Sequence, residues 1–249
     1  MIVPGHVVTV IGVIRSLLIY YGQPWRRSQL RRFYRDLVSP GDLVFDIGAH
    51  VGSRSHTLLS LGAEVVAVEP QPAFAEIIEM LMAERLKGFE RVAVGAATGQ
   101  TTLHISSRHP TVTTISDRFI DGVSPLAGFR DVIWDRQILL PVTTLDRLID
   151  RYGMPAFCKI DVEGAESDIL RGLSRPIRLI AFEYISALPE LTREALDRLT
   201  SLGDYRFNRV VGESHRFVHV EWKTADALSK DLARLAPDSP SGDIYARLA

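Results

Sequence analysis

Leu43-Val44-Phe45-Asp46-Ile47-Gly48-Ala49-His50-Val51-Gly52 is the run whose reading decides the fold. Leu43 to Ile47 is a short apolar run behind the turn Ser39-Pro40-Gly41-Asp42, and it reads as a buried strand. Gly48 and Gly52 bracket a turn, and residues 53–61 then take helical spacing up to Gly62. A second apolar run, residues 64–68, ends in Glu69-Pro70. Pro72 opens a further helix, where a missing N–H costs little; Phe74, Ile77, Ile78 and Leu81 share its inner face, and Gly88 is expected to close it. Strands alternating with helices imply a mostly parallel sheet with helices on both faces.

The rest of the chain extends that pattern. Residues 91–94, 101–105, 138–142, 156–160 and 177–182 read as strands. Residues 145–152, 163–173 and 191–202 read as helices, the first capped by Thr143 or Thr144. Residues 207–211 and 217–222 are expected to form a closing antiparallel pair. Upstream, Leu30, Phe33, Tyr34 and Leu37 share a helical face, while Arg26, Arg27, Arg31, Arg32 and Arg35 read as a solvated one. The expected organisation is an N-terminal helical extension over 1–38 and one α/β domain over 39–249. Periodicity fades over 106–137, and a patternless stretch of that length is usually functional or mobile.

Composition bounds the function. Apolar residues make up 46% and charged residues 24% of 249, which supplies a core and argues against disorder. A net charge of −1 leaves no basic excess to neutralise phosphates, so no nucleic-acid partner is expected. The lone Cys158 excludes an intramolecular disulfide and suits a reducing, cytoplasmic setting. It reads as core, not nucleophile. Residues 7–21 are apolar around Arg15, but shorter than the roughly 20 residues of a bilayer span. They read as an amphipathic helix on the domain, with peripheral membrane contact as the less favoured alternative.

The glycine-bearing turn marks a ligand crevice. A dinucleotide site needs three glycines to cradle a pyrophosphate on a helix N-terminus. Here only Gly48 and Gly52 stand in place, and the Asp46 carboxylate at the strand end would repel a pyrophosphate. It suits S-adenosylmethionine (SAM), which carries an ammonium and a sulfonium and no phosphate. Glu69, ending the second strand, can accept both ribose hydroxyls, each charge-assisted bond contributing about 1.5–3 kcal/mol. NAD sites use the same device, so an NAD-linked oxidoreductase stays open on Glu69 alone. A SAM-binding partner module without catalysis is a further alternative.

Asp161 ends another strand over the same crevice. It could orient an acceptor, help remove its proton, or ligate a divalent metal; no metal is assigned. Glu163 and Glu166 are expected in the first helical turn, where acids complement the helix dipole for about 0.3–1 kcal/mol each. Glu183 ends a strand over the crevice too. His56, His104, His109, His215 and His219 have no zinc-ligand spacing.

Four blocks together, VFDIGAHVG (44–52), VVAVEP (65–70), PVTTLDRLI (141–149) and KIDVEGAE (159–166), resemble the FkbM-type family of SAM-dependent methyltransferases. The matching blocks span about residues 41–183, and KIDVEGAE is the most family-specific of them. His50 departs from the asparagine that the family often has there. The resemblance implies a Rossmann-like class I SAM-dependent methyltransferase fold with a mostly parallel seven-stranded sheet. It also implies SAM as cofactor and O-methylation of a small-molecule or saccharide acceptor. The cofactor residues are then Asp46, Gly48, Ala49, His50, Gly52, Glu69 and Pro70. Methyl transfer from a sulfonium is an in-line displacement in which positioning supplies about 7–11 kcal/mol of the barrier. Proton-handling candidates are Asp161, His50 and Glu183, His50 having an ordinary pKa near about 6.5. Residues 106–137 are then expected to be an acceptor-side insertion. Its Phe119, Phe129 and Trp134 would stack on an apolar or sugar face, or else merely cover the core. Arg108, His109, Asp131 and Asp135 would bond hydroxyls.

Overall fold

The computed structural model describes residues 24–249. The stretch at 7–21, and with it most of the expected N-terminal extension, lies outside the described residues. From Pro24 the elements run α1 (Pro24–Arg35), β1 (Leu43–Ile47), α2 (Ser53–Ser60), β2 (Glu64–Val68), α3 (Pro72–Met82) and β3 (Gly88–Glu90). Then come β4 (Ala93–Val94), β5 (Gly99–Ile105), α4 (Asp117–Val123), β6 (Arg136–Thr143), α5 (Leu145–Tyr152) and β7 (Phe157–Ile160). The series closes with α6 (Glu166–Arg171), β8 (Leu179–Tyr184), α7 (Pro189–Leu202), β9 (Tyr205–Val211), α8 (Ala225–Leu232) and β10 (Gly242–Leu248).

Seven strands form the main sheet in the order β3-β2-β1-β7-β8-β10-β9. β1 pairs in parallel with β2 and β7, and β7 with β8, while β10 runs antiparallel to both β8 and β9. Chain order therefore reverses between β1 and β7. A crevice opens at that point, beyond the carboxyl ends of the strands.

Strand alternation assigns each residue to a face. Phe45, Ile47, Val66, Val68, Cys158, Ile160, Ile180 and Phe182 share one core with Leu145 and Leu148 of α5, Ile169 of α6, Leu196 of α7 and Leu228 of α8. Val44, Val65, Phe157 and Ala181 point the other way, against Tyr34 of α1 and Leu58 of α2. Full burial of such side chains stabilises by about 1.5–3 kcal/mol each. Helix α1 is thus an integral part of the second layer. Its Tyr34 ring lies 5.8 Å from that of Phe157. No helix among the described residues is long and apolar enough to cross a membrane.

Several expectations are corrected. Gly88 opens β3 instead of closing α3; a Cβ there would lie 2.4 Å from the Tyr152 ring, so the glycine serves close packing. Residues 217–222 form no strand; they meet β9 through an isolated bridge at Phe217 and through the Asn208 side chain, which bonds the His219 backbone both ways. The partner of β9 is β10, which a Gly-Asp start and mixed polarity hid from the periodicity reading. Helix α6 begins at Glu166, because Glu163 and Gly164 both hold positive φ angles (57° and 90°) that stop the helix short. Finally, 106–137 is not without structure. It contains α4, whose first turn is capped by Ser116 accepting from the Phe119 N–H. A second sheet, β4-β6-β5, frames it.

Candidate functional site

The turn after β1 is built by glycine geometry. Gly48 has φ 80°, and a Cβ on it would meet the Asp161 carbonyl oxygen at 1.9 Å. Only glycine lets β1 and the end of β7 close up this far. The N–H groups of Gly48 and Ala49 donate to the Val68 carbonyl at 2.9 and 3.0 Å, tying the turn to the end of β2. His50 follows in the left-handed region at φ 54°, held there by its N–H donating to Glu69 Oε2 at 2.7 Å. Glu69 Oε1 accepts from the Gln71 N–H at 2.8 Å. Both carboxylate oxygens are therefore fixed in place, each with lone pairs left over.

These residues line one cleft with about 870 Å³ of empty space, its open mouth included. Gly48, Ala49, His50, Glu69, Pro70 and Asp161 all face it. Asp46 and Gly52 do not. Asp46 is fully buried beneath the turn, where Ser55 Oγ donates to it at 2.6 Å. Gly52 packs against the Met82 side chain. Asp46 Oδ1 is buried there without a hydrogen-bond partner. The His50 ring sits 4.0 Å from that of Phe74. Burial, then the charge of Arg54, pulls its pKa down to about 4, so it is neutral near pH 7. Burial pushes Glu69 up to about 8, against the two N–H groups that it accepts from.

The far wall is acidic. Asp161 and Glu163 line it; Glu183 does not and stands behind them, oxygens of all three lying within 4.8 Å of one another. Two cations offset them. Arg54 reaches Asp161 at 2.5 Å, and Lys159, fully buried within β7, lies 3.0 Å from Asp243 and 3.6 Å from Asp161. Burial alone would raise the Asp161 pKa, but Arg54 and Lys159 outweigh it and hold the group below its ordinary value. Glu166 turns inward to accept from the Val162 N–H at 3.1 Å, which caps the turn instead of facing the cleft. Acid spacing of this kind is common without any ion, so no metal is assigned. Arg54, Lys159 and Asp243 escaped the sequence reading. The signal for Lys159 was legible: a lysine inside a four-residue apolar strand must be paired, because lone charges are almost never fully buried.

The 106–137 segment divides. Pro110, Thr111, Thr113, Thr114 and Ile115 line the cleft. Thr114 is pinned by a two-way backbone bridge to His104, at 2.8 and 3.0 Å, and its Oγ1 donates to the Glu163 carbonyl at 2.6 Å. The aromatics do something else. Phe119 is buried edge-on against Phe129 and Trp134, and this group packs on Leu188 and Leu191. The Trp134 indole N–H donates to the Val112 carbonyl. They form a satellite core, not a stacking platform. Asp135 is likewise engaged, accepting from the Ser107 N–H at 2.8 Å.

Among the described residues, Arg54 is the one lysine or arginine on the cleft wall, and Asp161 already pairs it. With no free cation to meet phosphates, and Glu69 placed to accept a diol, the lining fits a nucleoside without phosphate. The chain matches the methyltransferase FkbM domain over residues 46–207, well over half its length. It is similar to an O-methyltransferase from Bacillus cereus solved with S-adenosylhomocysteine (SAH). Identity there is 14%, over 98% of this chain and 90% of that one, with a TM-score of 0.48. It is also similar to the precorrin-6y C5,15-methyltransferase of Geobacter metallireducens GS-15. Identity is again 14%, over 90% of this chain and 86% of that one, with a TM-score of 0.46. No curated protein matches the chain. The dinucleotide reading falls away: the chain belongs to the FkbM methyltransferase family and is a SAM-dependent methyltransferase of class I fold.

Proposed function

We propose that this enzyme methylates an oxygen of a small polar acceptor, saccharide-like in the density of its hydroxyls. The observation that carries this reading is the acidic wall. An ionised carboxylate accepts hydrogen bonds and donates none, so Asp161 and Glu163 on that wall suit an acceptor rich in hydroxyl donors. When bound, SAM supplies an electrophilic methyl group on a sulfonium. The protein's own work is positioning and proton handling.

In this reading Glu69 accepts the ribose hydroxyls, and the backbone at Gly48, Ala49, His50 and Pro70 shapes the cofactor seat. Asp46 and Gly52 support it from behind. Asp161, fixed by Arg54 and Lys159, is a stationary anion that orients the acceptor hydroxyl. Glu183 lies on the proton's route, whereas neutral His50 serves chiefly through its backbone. The methyltransferase domain covers 39–249 with α1 packed into its second layer, and residues 106–137 contribute to the acceptor side through Pro110, Thr111, Thr113, Thr114 and Ile115. A cytoplasmic setting belongs to the same proposal and rests on the lone buried Cys158.

The test is transfer of a tritiated methyl group from SAM to panels of glycosides, phenols, amines and nucleic acids. Label appearing in ether linkage on the hydroxyl acceptors supports the reading. Label confined to nitrogen or carbon overturns it.

A further inference from the structure

Glu163 has no role in the reading above beyond its charge, yet the fold goes to some length to hold it. It is a non-glycine residue at φ 57°, a conformation that costs about 1–3 kcal/mol and persists only where the surroundings enforce it. The enforcement is visible. Thr114 Oγ1 clamps the Glu163 carbonyl at 2.6 Å. The next residue, Gly164, stands at φ 90° with its bare Cα against Phe119, where a Cβ would come within 2.5 Å. This doubly left-handed turn carries Glu163 off the helix and onto the cleft wall, within 4.8 Å of both Asp161 and Glu183.

We propose that the Glu163 carboxylate, paired with Glu183, receives the proton of the acceptor hydroxyl. The inference rests on the oxygen-acceptor reading and assigns its base. As the acceptor oxygen forms its bond to the methyl carbon, the sulfur–carbon bond breaks and its electron pair stays on sulfur. The pair holds one proton at rest, on Glu183, whose Oε2 is buried without a hydrogen-bond partner; the hydroxyl proton passes to the ionised Glu163, which lines the cleft, and leaves from there to water.

The other candidates are worse placed. Asp161 is committed to Arg54 at 2.5 Å and to Lys159. His50 lies against the Phe74 ring. Glu183 Oε2 is buried without a hydrogen-bond partner. Three carboxylates this close cannot all stay ionised, and the two cations sit on the Asp161 side, so the protonatable sites are Glu163 and Glu183. The groups facing them are Lys159 of β7, Asp161 just after it, Arg54 of α2, Glu166 of α6 and Asp243 of β10. In accord with this, burial and then Asp161 and Glu166 push Glu163 well above the ordinary carboxylate range. Burial and then Glu163 do the same for Glu183.

Infrared difference spectroscopy on the SAH complex, with glutamate carboxyls ¹³C-labelled, should show a protonated glutamate at neutral pH. Glu163→Gln and Glu183→Gln should each abolish that band. With tritiated SAM and the glycoside panel, Glu163→Gln should lower kcat by at least about 100-fold and Glu163→Asp should restore part of it. SAH affinity should stay within about threefold in both, since general-base losses fall on kcat. Should Glu163→Gln fail to fold, Glu183→Gln carries the same measurements. Absence of the protonated band, an unchanged kcat in Glu163→Gln, or turnover abolished by EDTA and restored by Mg²⁺ would each overturn the proposal. If the band is present but methyl groups reach only nitrogen or carbon, the oxygen-acceptor reading fails and the carboxyl pair stands without that base role.

Discussion

Lys159 and Glu69 show what single buried charges do here. Lys159 has no exposed surface and neutralises Asp243 and Asp161 from inside the sheet. Replacing it by methionine strands those acids, and breaking a buried pair from one side costs about 3–5 kcal/mol. Asp161 keeps Arg54, so Lys159→Met should lose about 3 kcal/mol in urea unfolding. The sign with pH follows from the depressed Asp161 pKa. Its stabilisation is full above the unfolded value and vanishes as pH falls through the folded one, so the gap between variant and wild type should narrow in acid. Glu69 runs the other way. Its carboxyl is raised to about 8, whereas a bound diol favours the ionised form. SAH affinity should rise with pH up to about 8 and release a proton, seen by calorimetry in buffers of different ionisation enthalpy. Glu69→Gln should bind about tenfold more weakly and lose the pH dependence. Glu69 was legible in the sequence because a carboxylate at a strand end over a crevice has few other uses. That Lys159 is paired was legible from its place in an apolar strand, but which acid pairs it was not, nor was the role of Arg54, since the partners lie 84 and 107 residues away.

At the scale of elements, short apolar runs and turn glycines placed β1 and β2 to the residue. Failures fell where local rules bend. The helix expected from residue 163 starts late because the turn before it spends two residues in left-handed geometry. Nothing in a Val-Glu-Gly-Ala string tells that from a first helical turn. Gly164→Ala tests how tightly this turn is set. Its methyl group would collide with Phe119 and its φ would be strained, for about 1–3 kcal/mol of stability. Displacing the turn moves Glu163, so kcat should drop at least about tenfold while SAH affinity stays nearly constant. Equal losses in both would mean that the turn serves cofactor binding.

Across the whole molecule, the mostly parallel sheet was readable from the βα alternation, and the antiparallel β10 was not. Its neighbours are fixed by ladders to β8 and β9. The segment 106–137 teaches a similar lesson, because aromatic residues without periodicity look equally like a binding surface or a satellite core. Here Phe119, Phe129 and Trp134 pack on each other. Trp134→Ala should therefore lower stability in urea unfolding by about 1–3 kcal/mol for this half-buried ring, and leave the acceptor KM unchanged. A selective rise in KM would return the ring to the acceptor side. The sheet order has one more consequence, and it concerns time. β9 leaves the ribosome some thirty residues ahead of β10, its one ladder partner among the described strands, which must slot between it and β8. Until then β9 has only its isolated bridges to Phe217 and Lys223 to register against. In pulse-labelled refolding, its amides should gain protection together with those of β10, after the β1–β2 pair has already closed.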